Sequence, residues 1–392
     1  MSTPFFPTEV TTDIFSRLPA KSAVKCRTLS KQWSTILTSP DFASLFLTHS
    51  STRPRLLFAV ERNGLWTFFT TPQPHPHSPL PPSLTAEFHT KVNGDVSRYL
   101  CSYASGLILF PDLWIPKVSS YSDPVVVNPV TGKYVALPYL TVYRKSRAFL
   151  GFDSVGKEFK VLAEDHPFCG LRDHHQVLSL GGDGELSWRV KNGPQYDHCM
   201  SEAIQIGGVL YYLAENISDL PRVVVCFDVS SEEFEVIEAD CFSGEEVVKL
   251  INYKGKVTGV NWKYVKVDDG KIVLELSVWV LEEEKEWVKS VYVLSEEKIV
   301  RFCNFSVGGM TSGGEIVLAM DYTTKKPYYV FFFDPEKNTL RSVEVKGFGD
   351  ELEAIGTRGR VRVFVDYVED LNVHDGKQLK SSFSAEMMKL VK

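Results

Sequence analysis

Along the first fifty residues apolar positions recur every three or four residues, whereas beyond Arg55 they come in short, continuous runs. The first pattern is helical. Val10, Ile14, Phe15 and Leu18 share one face of a segment that starts at Pro7, carries Glu9 in its first turn and ends at Pro19. A second stripe steps through Ala23, Cys26, Leu29, Trp33 and Ile36/Leu37. A third segment opens with Ser39 as N-cap, then Pro40 and Asp41, and its face is Phe42, Leu45, Phe46 and His49. The spacing predicts a small all-α module of three short helices over residues 1–50. A unit of that size buries too little of its own surface to be stable alone, so its stripes must pack on the rest of the chain or on another protein.

The second pattern predicts strands. LLFAV, LWTFF, GLILF, PVVVN, KYVAL, FKVL, VLYYL, RVVVCF, IVLELSVWV and YYVFFF are separated by Gly, Asp, Asn and Pro, with no long helical period between them, which indicates all-β hairpins. One phrase recurs, an apolar run that ends in a turn residue and resumes four to six residues later: VVVNPVTGKYVAL, LSLGGDGELSWRV, VVVCFDVSSEEFEVI, VWVLEEEKEWVKSV and VFFFDPEKNTLRSV. Its turns at Asn128, Asp183, Asp228, Glu283 and Asp334 are spaced by 55, 45, 55 and 51 residues. A period near 50 with several strands per unit predicts a β-propeller of about six blades over residues 54–372; a large irregular β-sandwich is the alternative. TTPQPHPHSPLPP, with six prolines up to Pro82, cannot be a paired strand and reads as a solvated insertion. Residues 375–392 read as a frayed tail or a short helix.

Composition narrows the function classes. The chain is 44% hydrophobic and 23% charged, the range of ordinary folded proteins. No run approaches 18 apolar residues and the N-terminus lacks the pattern of a signal peptide, so neither a membrane partner nor secretion is expected. Seven scattered cysteines without CxxC spacing imply reduced thiols in the cytoplasm and/or nucleus. A net charge of −6 lacks the basic footprint of a nucleic-acid binder. The charge is unevenly spread: up to Arg55 seven Lys/Arg face three Asp/Glu, a basic module on an acidic body.

Catalytic constellations are absent from the sequence. There is no GxSxG, HExxH, P-loop or EF-hand, and the glycines of GGMTSGG (Gly308 to Gly314) read as a turn. HPFCGLRDHH gathers His166, Cys169, His174 and His175, but the adjacent histidines diverge once a strand begins there, so no metal site is expected. His198 and Cys199 point to opposite faces of a strand and cannot form a base–nucleophile pair. The sequence therefore predicts a non-catalytic protein without cofactors that binds through loops. Bulky residues at expected loop positions are Tyr139, Tyr143, Phe168, Tyr196 and Tyr322.

The N-terminal stretch resembles the plant F-box, whose pattern is matched without a gap by Pro7, Glu9, Val10, Asp13, Ile14, Phe15, Arg17, Leu18, Pro19, Lys21, Ser22, Val24, Lys25, Cys26, Arg27, Leu29, Ser30, Lys31 and Trp33. Phe6 stands where leucine is usual, and Lys25 where arginine is frequent. Beyond it, SSTRPRLLFAVE, VVVNPVTGKYVALP, GFDSVGKEFKVL, HQVLSLGGDGELSWR and VVCFDVSSEEFEVI resemble the F-box-associated domain of the plant type. The resemblance implies a substrate receptor of an SCF (Skp–cullin–F-box) ubiquitin ligase. The F-box would dock on a Skp-type adaptor, and through it on cullin, by way of Phe6, Pro7, Val10, Ile14, Phe15, Leu18, Pro19, Val24, Cys26, Leu29, Trp33 and Ile36. The β-domain would hold a protein substrate whose identity the sequence does not give. A scaffold or decoy that merely occupies the adaptor, and an enzyme using a propeller channel, are the competing readings.

Overall fold

The computed structural model describes residues 7–76, 78–96, 101–115, 123–138, 147–165, 174–181, 186–196, 198–215, 222–245, 247–267, 270–302, 304–323, 327–348, 358–371 and 380–381. Four helices open the chain: α1 (Thr8–Ser16), α2 (Ala20–Cys26), α3 (Lys31–Leu37) and α4 (Pro40–Ser51). Pro7 and Pro19 precede α1 and α2, and Ser39 caps α4 by accepting the Phe42 N–H at 3.2 Å. The expected second helix is two. The N–H groups of Arg27, Thr28 and Leu29 bond three residues back, to Val24, Lys25 and Cys26, which tightens and ends α2. The Thr28 hydroxyl also takes the Lys25 carbonyl, and Ser30 is extended (φ −152°, ψ 140°), so the polar pair competes with the helix ladder.

From Arg55 the chain builds six antiparallel sheets in succession, the blades of a propeller. In chain order, with the innermost strand first, blade 2 runs from Ser102–Ala104 to Lys133–Ala136, blade 3 from Arg147–Asp153 to Arg189–Lys191, and blade 4 from Ile204–Ile206 to Phe234–Glu238. Blade 5 runs from Lys249–Tyr253 to Trp287–Leu294, and blade 6 from Phe305–Met310 to Thr339–Lys346. Blade 1 closes the ring with both ends of the body. Its inner strand Gly359–Tyr367 pairs with Arg55–Arg62, which leads into Leu65–Pro72 and Glu87–Asn93. Middle strands are covered on both faces by neighbouring blades, which is why they read as unbroken apolar runs; Leu56 to Val60 are all inaccessible to solvent.

The recurring turns at Asn128, Asp228 and Asp334 share a chemistry with the turn at Asp153, whereas at the Glu283 turn the Lys285 N–H bonds the Glu282 carbonyl. The side-chain oxygen of Asn128, Asp153, Asp228 and Asp334 accepts the N–H groups two and three residues on, at 2.7–3.1 Å. Four residues after each lies a left-handed residue: Gly132, Lys157, Glu232 and Asn338. Asp183 lies outside the described residues. The proline-rich segment runs from blade 1 to the edge of blade 6, where Ser83–Thr85 adds a parallel strand; Arg341 holds its Ser78 carbonyl at 2.8 Å. Within the expected tail, Lys380 and Ser381 pair with Tyr134 and Lys133 at the edge of blade 2.

Candidate functional site

The helices use their apolar residues in two directions. Phe15, Ala20, Ala23, Leu37, Phe42 and Phe46 are buried in one continuous cluster with Leu57, Ala59, Trp66 and Phe68 of blade 1 and Val127 of blade 2. Within it the Trp33 ring meets Phe15 edge-on, with centroids 5.0 Å apart. Leu18, Val24, Cys26 and Ile36 are half-buried against the same cluster. The other direction is solvent. Val10 is 42%, Ile14 46% and Leu29 71% exposed, and Pro7 and Pro19 are exposed beside them in sequence. Arg17, Lys21, Lys25 and Lys31 are exposed as well, so the outward surface is aliphatic and cationic. Val10 and Ile14 stand one turn apart on α1.

A buried polar cluster fixes the helices to the ring. Glu369, just past the closing strand, accepts the Ala20 N–H at 3.0 Å through Oε2 and lies 3.5 Å from Arg55 Nε through Oε1. Arg55 also donates to Thr70 Oγ1 at 2.8 Å and pairs with Glu87 at 3.0 Å. His89 Nε2 lies 2.8 Å from the same hydroxyl and 3.6 Å from Glu369. Burial, then Arg55 and Lys21, pushes the His89 imidazole down to about 4, while burial raises the Glu369 carboxyl. The connection is short and tied down: Arg53 donates to the backbone carbonyls of Arg17 and Ser16.

The innermost strands of all six blades surround a channel that holds a cavity of about 430 Å³. Tyr103, Phe152, Ile204, Ile251, Met310 and Phe364, one from each blade, stand in its wall. Its mouth is formed where the first strands of blades 2 to 5 turn back, at Ser105, Ser154, Gly207–Gly208 and Asn252, together with Asp366 of the closing strand. The helices join the ring on this same face, because Arg55 pairs with Tyr367 at the mouth end of the closing strand. Toward the other end an ionic bar crosses the axis. Arg362 of blade 1 meets Oε1 of Glu202 in the opposite blade 4 at 2.6 Å, the Cys101 N–H donates to the same oxygen at 3.3 Å, and Lys249 of blade 5 approaches Oε2 at 3.4 Å. The two cations hold the Glu202 carboxyl below its usual range against burial, and the Cys101 thiol is pushed up to about 12 by burial.

The residues singled out from the sequence are dispersed. Phe6, Tyr139, Tyr143 and Phe168 lie outside the described residues, as do His166 and Cys169. Tyr196 is a correction: it is no loop contact but an interior residue, 5% exposed, because its hydroxyl serves Glu164, Tyr212 at 2.7 Å and His175 at 3.1 Å. Tyr322 is half-buried under the Arg358 guanidinium, 4.1 Å from its ring, and pairs with Arg360 at the end of the closing strand remote from the mouth. His175 is buried beside Tyr196, and no group of three or more metal-ligating side chains occurs among the described residues. The channel lining was missed by sequence reasoning, although it left a signal: SYASG, IQIGG and INYKG each place a short strand directly before a glycine turn.

Comparison with known proteins accords with this division. The F-box domain model matches residues 5–45, and the F-box associated beta propeller domain model matches residues 55–368. An F-box protein of Arabidopsis thaliana is 53% identical over 386 residues, covering 96% of this chain and 94% of its own length. A second F-box protein of the same plant is 41% identical over 425 residues, covering 95% of both chains, and a putative third is 42% identical over 402 residues, covering 98% of both. A helical module sharing its core with a six-bladed ring, with both halves matched in order, makes this chain a member of the plant F-box proteins that carry an F-box-associated β-propeller.

Proposed function

We propose that this protein is a substrate receptor of an SCF-type ubiquitin ligase, carrying a protein to be ubiquitinated to a Skp-type adaptor and cullin while performing no chemistry itself. The observation that carries this reading is the outward surface of the helices. Their aromatic side is already buried against the ring, yet Pro7, Val10, Ile14, Pro19 and Leu29 remain in water. Such a remnant suits a helix-in-groove contact. Skp-type adaptors are acidic as a family, so the exposed Arg17, Lys21, Lys25 and Lys31 add complementary charge.

The buried Glu369–Arg55 cluster supports the same role in another way. A receptor acts by raising the local concentration of its substrate beside the ubiquitin-loaded partner, and a fixed angle between the two binding surfaces keeps that concentration high. Affinity capture of the full chain from plant cells, with the proteasome inhibited, tests the reading. Adaptor and cullin should co-purify, together with ubiquitinated proteins, and Val10→Asp/Ile14→Asp should remove all three. Capture of adaptor without cullin would turn the reading into that of a decoy.

A further inference from the structure

The rim of the channel carries a carboxylate that no cation of the fold answers. Arg55 pairs with Tyr367 and Leu57 with Phe364, so Val365 and Asp366 together stand opposite Leu56 and the closing strand bulges at the mouth. Asp366 is left-handed there (φ 51°), an uncommon conformation for a residue with a Cβ, and such outliers gather at ligand sites. The proline-rich segment braces it. Gln73 Nε2 donates to Asp366 Oδ1 at 2.6 Å, and Gln73 Oε1 accepts the Asp366 N–H at 2.9 Å. The Ser312 N–H and hydroxyl also bond the carboxylate. All these donors are neutral, and among the described residues no Lys, Arg or His pairs with Asp366, whose carboxyl burial raises.

The cations nearby are already engaged. Of the charged residues that line the cavity of about 430 Å³, Lys249 and Glu202 pair with each other at 3.4 Å, which leaves Asp366 over. Arg362 lies four residues back along the closing strand, about 13 Å of extended chain, and is bound to Glu202. Lys254, on the blade 5 turn beside Gly314, is held by Glu336. Just inside the rim stand Tyr103, Phe152 and Phe364, each two residues before the mouth residues Ser105, Ser154 and Asp366. The Tyr103 and Phe364 ring centroids are 5.9 Å apart, and Ile204, Ile251 and Met310 complete this apolar layer above the ionic bar. A volume near 430 Å³ is within the range of ligand pockets, roughly 300–1,000 Å³. A carboxylate beside aromatic rings favours a cation twice, through its charge and through the negative ring faces. The layering sets the orientation, with the cation at the rim and its apolar companion inside.

We propose that the channel mouth takes a peptide segment in which a cationic group adjoins a bulky apolar side chain, the cation pairing with Asp366 and the apolar group entering the aromatic layer. This deepens the receptor reading and rests on it: the segment would belong to the captured substrate. The cation can be a Lys or Arg side chain, or the α-ammonium of a chain that begins with the apolar residue, and the experiment separates the two.

The probe is a display library of random heptapeptides with free N-termini, selected on the purified full chain. Peptides with Lys or Arg next to a bulky apolar residue, or with a bulky apolar residue first, are expected. The selected peptides are then measured by fluorescence anisotropy with the N-terminus acetylated or with Lys and Arg replaced by Gln. A loss of at least tenfold in one arm assigns the source of the cation; no loss in either overturns the proposal. Asp366→Asn removes the charge and keeps a residue that tolerates the left-handed conformation. It should erase the preference for the cationic peptide over its neutral counterpart and leave the weaker binding of the neutral peptide within about twofold, whereas a merely structural loss would lower both. A preference that persists in Asp366→Asn overturns the proposal. Ser154→Trp narrows the mouth without touching Asp366 or the ionic bar and should weaken the selected peptides at least tenfold; if Asp366→Asn fails to fold, this variant decides alone. Binding that survives Ser154→Trp, or a selection that yields no peptide, overturns the proposal. Capture of the Skp-type adaptor by the same variants should be unchanged, so a failed channel is distinguishable from a failed receptor.

Discussion

The helical module and the propeller solve the same packing problem differently. Each blade covers both faces of its middle strands with its two neighbours, and the ring closes on itself through Gly359–Tyr367 and Arg55–Arg62. The four helices have no such neighbour on one side. Their aromatic residues Phe15, Phe42 and Phe46 reach the ring, and their aliphatic residues Val10, Ile14 and Leu29 reach only water. The contrast teaches where affinity for a partner would reside. A surface that the fold leaves unburied, on a module otherwise fixed in place, is available to another protein without cost to the core.

The comparison is most sharply tested by removing the shared core. Phe42 is 1% exposed, and Phe42→Ala should lower stability by about 3–5 kcal/mol through lost burial and the cavity it leaves. Because helices and ring share that cluster, calorimetry should still show a single transition. Two separable transitions in the full chain would mean that the module folds by itself and that its inward stripe is incidental.

Acid probes the polar joint between the two regions. His89 is pushed down from 6.5 to about 4, so its contribution to stability is complete above pH 6.5 and is lost as pH falls through about 4, a loss of about 3 kcal/mol in full. Glu369 has the opposite sign: its carboxyl is raised, so protonation favours the folded state and that gain disappears as pH rises. Urea midpoints between pH 7 and pH 4 should therefore fall less steeply in His89→Gln and more steeply in Glu369→Gln than in the natural chain. Parallel curves for all three proteins would show that the joint does not titrate with folding.

Much of this arrangement could be read from the residues, and the unread part has identifiable causes. The turn residues Asn128, Asp228 and Asp334 gave the blade period because an Asx side chain bonds the backbone locally, in a manner independent of tertiary context. The helix break at Arg27–Ser30 was not legible, since Ala23, Cys26, Leu29 and Trp33 keep helical spacing across it; only the Thr28 and Ser30 hydroxyls hinted at it. Nor could spacing divide one stripe between an inward and an outward use, because both uses need apolar residues. Tyr196 was misplaced for a related reason. A tyrosine in a polar stretch looks like a loop contact until Glu164, His175 and Tyr212 are brought around its hydroxyl from distant positions. The channel wall draws one strand from each blade, a ring no local window contains.

Smaller effects refine the boundary between the two uses. Ser39→Ala removes the cap that accepts the Phe42 N–H and should cost about 1 kcal/mol, with hydrogen exchange rising in the first turn of α4. Leu29 is 71% exposed, so Leu29→Ser should shift stability by less than about 0.5 kcal/mol. Its effect on adaptor affinity should nonetheless be measurable by titration calorimetry. A large loss of stability there would place Leu29 in the core and remove it from the docking surface.

The central claim is that the outward aliphatic row binds the adaptor while the inward aromatic row belongs to the fold. Titration calorimetry of the full chain with a purified Skp-type adaptor, paired with the melting temperature of each variant, tests it directly. Val10→Asp/Ile14→Asp should weaken binding by at least 100-fold with little change in melting temperature. Phe42→Ala, measured well below its lowered melting temperature, should bind within about threefold of the natural chain. Undiminished affinity in the Val10→Asp/Ile14→Asp protein would contradict the account.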